Sequence, residues 1–235
     1  MEPGVNRLGT LDAIWKRVAR KPVFLSRQWL RRLRLQRLVS VEMVPATRPK
    51  KVVSPRRINQ CRDCLDTCCV GRKSTVLLHL RDIAVLVDEG RADLMTLKKP
   101  RFTEDERRGS PALAGHVSSM AWSIFPVLRQ NTFHACSALS AEGECTLYPS
   151  WPLSCARFPV ALNFDADQLF MSQRCRSTKV IETEVDANKL EEMECHAVGA
   201  YNERVKDYLL LTHAKSELQE LGLTNYLNLA SWSMR

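Results

Sequence analysis

Cys61, Cys64, Cys68 and Cys69 stand within nine residues, and no other feature restricts the fold of this chain as tightly. A Cys-x2-Cys turn aims two sulfurs at one point, as zinc knuckles and iron–sulfur loops both require. Four cysteines beside Arg62, Asp63 and Asp66 follow no apolar periodicity, so core burial does not account for them. Neighbouring side chains diverge, so Cys68 and Cys69 serve different centres or one of them is structural. A second group, Cys136, Cys145, Cys155 and Cys175, is separated by eight, nine and nineteen residues. One loop cannot gather these four; the hairpins and turns around them must fold back. Pro149, Pro152 and Pro159 stiffen the backbone near Cys155, which suits ligands that tolerate errors of only about 0.2 Å. Cys195 stands apart and reads as a small buried hydrophobe.

Nine cysteines in 235 residues are too few for a small disulfide scaffold. The N-terminus lacks the apolar stretch of a secretory signal, and no run of about 18 apolar residues provides a membrane span. A cytoplasmic location is expected, where clustered thiols serve metals or catalysis. Apolar content is 45%, compatible with a buried core. The net charge of +9 is uneven: residues 1–57 hold 15 Lys/Arg against 3 Asp/Glu, and the remainder 20 against 23. The basic character belongs to one segment, so the pI does not argue for a nucleic-acid-binding core.

Leu11, Ile14, Trp15 and Val18 have helical spacing, which predicts an amphipathic helix over 11–18 that Pro22 interrupts. A second helical stretch, 24–39, sets Trp29, Leu30, Leu33 and Leu38 among arginines. This segment is either a helical arm docked by its Leu/Trp face or a surface for a partner. An anionic membrane, bound peripherally, and RNA are the candidates, and an organellar presequence shares the composition. A Pro-rich basic linker follows, with a domain boundary near residue 58. Thr75–Leu80 reads as a strand. Asp82 is expected to cap a helix over 82–89, with Ile83, Leu86 and Val87 inward and Gly90 as its stop. Residues 99–119 read as a loop, and Trp122–Leu128 as an edge strand because of Pro126. Phe158–Phe164 and Gln168–Gln173, around Asp165, Ala166 and Asp167, read as a hairpin. The tail is helical. Leu190, Met193, Ala197 and Ala200 form one stripe, and Val205, Tyr208, Leu209 and Thr212 begin a second. The helix continues from Lys215 to Leu221 and stops at Gly222. The carboxylate pairs Asp105-Glu106 and Glu191-Glu192 read as solvent faces. His134 and His196 are secondary ligand candidates, an ordinary surface or core histidine being the commoner case, and Arg157 either offsets thiolate charge or pairs with a surface carboxylate.

The stretches CRDCLDTCC and CSALSAEGECTLYPSWPLSCARFPV, followed by Cys175, resemble the YkgJ-type cysteine-cluster family, described as a zinc- or iron-chelating domain. The resemblance covers residues 58–178, with Tyr148, Pro152, Phe158 and Pro159 in order among the cysteines. It implies that Cys61, Cys64, Cys68, Cys69, Cys136, Cys145, Cys155 and Cys175 make the metal centre or centres. Three residues rather than two precede the Cys68-Cys69 pair, a form similar to the flagellin lysine-N-methylase branch of the same superfamily. The family's arginine before Pro152 is Trp151 here. Its arginine after Cys155 is Ala156, with Arg157 one position later.

Eight thiolates suffice for two tetrahedral zinc sites, for a 4Fe–4S cluster with thiols to spare, or for an iron site. They exclude magnesium and calcium, which prefer oxygen. The Cys-x3-Cys-x2-Cys order of radical enzymes, the Rossmann fingerprint and the P-loop are all absent. Besides a structural zinc protein whose working surface is the basic arm, two function classes follow. One is a metal-binding module that chelates zinc or iron. The alternative, implied by the resemblance, is an enzyme: an S-adenosylmethionine-dependent protein lysine N-methylase with an iron–sulfur centre and loop 99–119 as its lid. The expected fold is α+β. A basic arm and linker occupy 1–57, and an irregular strand-and-loop cysteine domain 58–180. Helices over 181–235 pack on that domain.

Overall fold

Leu11, Ile14 and Val18 line one side of helix α1 (Arg7–Ala19) and are buried. Asn6 holds the start of this helix, its side-chain oxygen accepting the Gly9 N–H at 2.8 Å. The computed structural model describes residues 6–19, 51–53, 69–70, 75–99, 124–158, 160–163, 168–171 and 187–229. The expected helix at 24–39, the linker, most of loop 99–119, the hairpin tip at 165–167, and Cys61, Cys64, Cys68 and Cys175 lie outside them. So do Asp105-Glu106 and the side chains of Glu191-Glu192.

The fold is α+β, with helices beside two small sheets. In one sheet, β1 (Lys51–Val53) runs parallel to β5 (Gln168–Met171), which pairs antiparallel with β4 (Val160–Asn163) in the order β1-β5-β4. Asn163 faces Gln168, so the expected hairpin forms, with shorter strands than the sequence pattern outlines. In the other sheet, β2 (Met95–Lys98) pairs antiparallel with β3 (Phe125–Leu128).

Pro126 does not mark an edge. The second side of β3 is taken by residues 76–78, where the Leu78 N–H donates to Pro126 and the Leu128 N–H to Val76, both at 3.0 Å. The N–H that proline lacks would have faced Leu78, where the neighbouring chain already turns into a helix, so the ladder loses little. For the same reason Thr75–Leu80 is not a regular strand. It forms one bridge, Leu77 to Val127, and then enters helix α2 (Leu80–Asp88). That helix begins two residues earlier than expected. His79 is its N-cap, and Asp82 caps from inside the first turn by accepting the His79 N–H at 2.9 Å. Gly90, at φ +69°, ends it as expected.

A single turn, α3 (Leu153–Ala156), carries Cys155. The two stripes expected in the tail belong to one helix of 27 residues, α4 (Ala187–His213). Ala197, Ala200 and Leu209 are buried as expected, whereas Thr212 is exposed. Ala214 leaves the helical region at φ −138°, so Lys215–Glu220 forms a separate helix, α5, rather than a continuation. Gly222 stops it at φ +72°.

The apolar core joins Leu11, Ile14 and Val18 of α1 to Leu80, Ile83 and Leu86 of α2, and to Leu210, Leu218 and Leu223. Helix α1 also makes ionic contacts through Arg7 with Asp88, Arg17 with Glu217, and Lys206 with Asp12. Among the described residues no helix is long and apolar enough to cross a membrane.

Candidate functional site

Four of the eight expected ligands, Cys69, Cys136, Cys145 and Cys155, are among the described residues, and local hydrogen bonds draw their segments together. The Cys136 N–H donates to the Cys69 carbonyl at 2.7 Å, and Val70 bridges Ala135. The turn before Cys136 is tied by Asn131, whose side-chain oxygen accepts the N–H groups of Phe133 and Ala135 at 2.9 and 3.0 Å. His134, at φ +61°, sits at the corner of this turn. Leu139 bridges Cys145, and the Thr146 N–H donates to Ala138 at 2.8 Å, so Cys136 and Cys145 occupy one small irregular hairpin. Cys155 closes the α3 turn, its N–H on the Pro152 carbonyl at 2.8 Å.

Each of three thiols is pushed above its ordinary pKa. For Cys136, burial is the largest cause. The amide of Ala138 opposes it, and the neighbouring Cys69 and Cys145 add to it. For Cys145, burial again leads, while the amides of Leu147 and Tyr148 and the Arg91 guanidinium favour the thiolate. Cys155 is raised furthest, by burial and then by Cys69, Cys136, Cys145 and Asp82. Cys69, Cys136 and Cys145 thus lie near enough to Cys155 to help raise its thiol. Backbone N–H groups two residues on, Ala138 after Cys136 and Leu147 after Cys145, support the two hairpin sulfurs. Such amides stabilise a thiolate and are common around metal-bound cysteine. Among the described residues, no group of three or more His, Cys, Asp or Glu side chains is arranged to hold a metal ion. Cys195 is exposed, against the expected burial, because it falls on the outer side of α4. His196, beside it, is half-buried.

Behind the Cys155 turn lies a buried ionic network that sequence reasoning missed. His79, Asp82, Asn202, Glu203, Arg204, Lys206 and Asp207 are all at most 7% exposed. Asp207 reaches from α4 to the start of α2. One of its oxygens accepts the Leu80 N–H at 3.0 Å, and the other meets His79 Nδ1 at 2.9 Å. Arg204 Nη1 stands 3.6 Å from the second oxygen. Burial raises the Asp207 carboxyl, and Arg204 and the Leu80 amide pull it back. Burial, helped by Arg204, holds His79 well below the usual histidine range, so its imidazole is neutral and its Nδ1 shares a hydrogen bond with Asp207. Lys206 is 3.3 Å from Glu203 and 3.0 Å from Asp12, with its Nζ 5.9 Å from the centre of the Trp15 ring. The signal in the sequence was faint: Glu203 with Lys206, and Arg204 with Asp207, are pairs three residues apart, the spacing of an exposed helix face. Their partners His79 and Asp12 lie more than a hundred residues away in the chain.

Comparison of the chain with family models, curated proteins and solved structures finds no match.

Proposed function

We propose that this chain is a metal-binding protein that holds zinc or iron on cysteine thiolates. The observation that carries the reading is that backbone hydrogen bonds and bridges bring the segments of Cys69, Cys136 and Cys145 together, near enough to Cys155 to raise its thiol. Crowded, partly desolvated thiols resist ionisation unless a cation arrives to neutralise them. A soft divalent metal does this, so the donor set fits zinc or iron. The resemblance to the YkgJ-type family extends the ligand set to Cys61, Cys64, Cys68 and Cys175. On this reading, the strand-and-loop segments that carry the cysteines form the metal core and the helices cover it. The bound ion would cross-link these segments and hold their sulfurs as thiolates. Arg91, beside Cys145, offsets part of the negative charge.

The test is anaerobic purification of the full chain, elemental analysis and an absorption spectrum. The protein is expected to carry zinc or iron in stoichiometric amount, with visible absorption and acid-labile sulfide if the iron is in a cluster. Cys136→Ser and Cys145→Ser should each lower the metal content at least several-fold, since second-shell changes alone cost roughly 10- to 100-fold in affinity. A protein with neither metal, whose thiols titrate readily with a thiol reagent, would show the reading to be wrong.

A further inference from the structure

The residues just before Cys155 are gripped on two sides by one corner of the fold. The Leu153 N–H donates to Asp82 Oδ1 at 3.3 Å. The Ser154 hydroxyl donates to the Leu77 carbonyl at 2.6 Å. Both acceptors lie in residues 77–82, where the chain leaves the sheet and starts α2. Asp82 is 7% exposed and uses its second oxygen on the His79 N–H at 2.9 Å, so it joins the start of α2 to the Cys155 turn. Asp207 fixes that corner from behind through Leu80 and His79. Asp82 is close enough to Cys155 for its charge to be felt at the sulfur. Pro152, at the head of the turn, is also buried.

We infer that Asp82 and Ser154 are positioning residues for the Cys155 thiol, acting through the Leu153–Cys155 turn to aim that sulfur at the metal. The inference rests on the thiolate reading above. A one-turn helix has no rigidity of its own. Without the two clamps its thiol would sample directions that a metal site cannot use, since ligand geometry tolerates only about 0.2 Å. An Asp-to-Asn change keeps the shape and one acceptor but turns an amide N–H₂ toward a backbone N–H, so one of the two hydrogen bonds is lost.

The experiment is a cobalt(II) titration of the metal-free full chain under anaerobic conditions. It follows the ultraviolet thiolate-to-cobalt band, whose strength per bound ion counts coordinated thiolates. Wild type, Asp82→Asn, Ser154→Ala, Cys155→Ser and the two double variants with Cys155→Ser are compared. Each single variant is expected to lose about one ligand's share of the band, a quarter in a four-thiolate site. The doubles should match Cys155→Ser alone, because a residue that acts through Cys155 has no effect once that thiol is gone. Single variants with the full wild-type band, or doubles that fall below Cys155→Ser, overturn the positioning role while leaving metal binding intact. Wild type without any thiolate band overturns both. Ser154→Ala removes one peripheral hydrogen bond, so it decides the question even where Asp82→Asn fails to fold.

Discussion

His79 combines three tasks at one position. Its backbone N–H is capped by Asp82, its carbonyl accepts the Ile83 N–H at 3.0 Å, and its ring shares a hydrogen bond with Asp207. Buried and neutral, the ring makes stability depend on pH. Its folded pKa lies well below the ordinary 6.5, so the unfolded chain takes up a proton first as pH falls. The contribution of His79 is therefore complete above about pH 6.5 and is lost on acidification below it. His79→Gln should cost about 1–3 kcal/mol near pH 7.5 by stranding Asp207. That deficit should narrow toward pH 5, because glutamine does not titrate. Urea unfolding of both proteins across this range checks it; a constant difference would show that the ring does not titrate on unfolding. Nothing in the local sequence distinguishes His79 from a surface histidine. Its burial follows from Asp207, which arrives from a distant helix.

Among the elements, those with a strong local pattern were legible and those set by partners were not. The stripe Leu11, Ile14 and Val18 is a periodic signal, and it is the buried side of α1. Gly90 and Gly222 adopt the left-handed backbone that glycine permits, and both helices stop there. Pro126 misled because proline is barred from a ladder only where its missing N–H would have a partner. The start of α2 misled because Asp82 works as a cap from either side of the boundary. The same logic separates packing from charge in α1. Leu11→Ala should cost about 2–5 kcal/mol, since Leu11 is fully buried in the main core. Arg17→Ala, which breaks a surface pair with Glu217, should cost at most about 1 kcal/mol. Equal losses in chemical denaturation would contradict this division.

At the scale of the whole molecule, the cysteines are visible in the sequence, and their convergence depends on turns that spacing alone does not specify. The segments of Cys69 and Cys136 meet through one backbone hydrogen bond and the bridge between Val70 and Ala135, not through any motif. If the cysteines bind metal as proposed, the raised thiols of Cys136, Cys145 and Cys155 make that binding a proton-releasing event. Near neutral pH these three thiols are protonated, so on that reading each would give up its proton on binding and affinity would rise with pH. The increase in melting temperature on adding zinc should therefore be larger at about pH 8 than at about pH 6. A pH-independent increase would mean that the ligands are already ionised.

The docking of α1 also carries a cost in time. Its apolar face is completed in part by Leu210, Leu218 and Leu223, and its Arg7 guanidinium donates to the Leu221 carbonyl. During synthesis at roughly 5–20 residues per second, these partners emerge about 10–40 seconds after α1 itself. For that interval the nascent chain presents an unburied leucine stripe close to a strongly basic stretch. Of the described helices, α1 is thus made earliest and completed among the last.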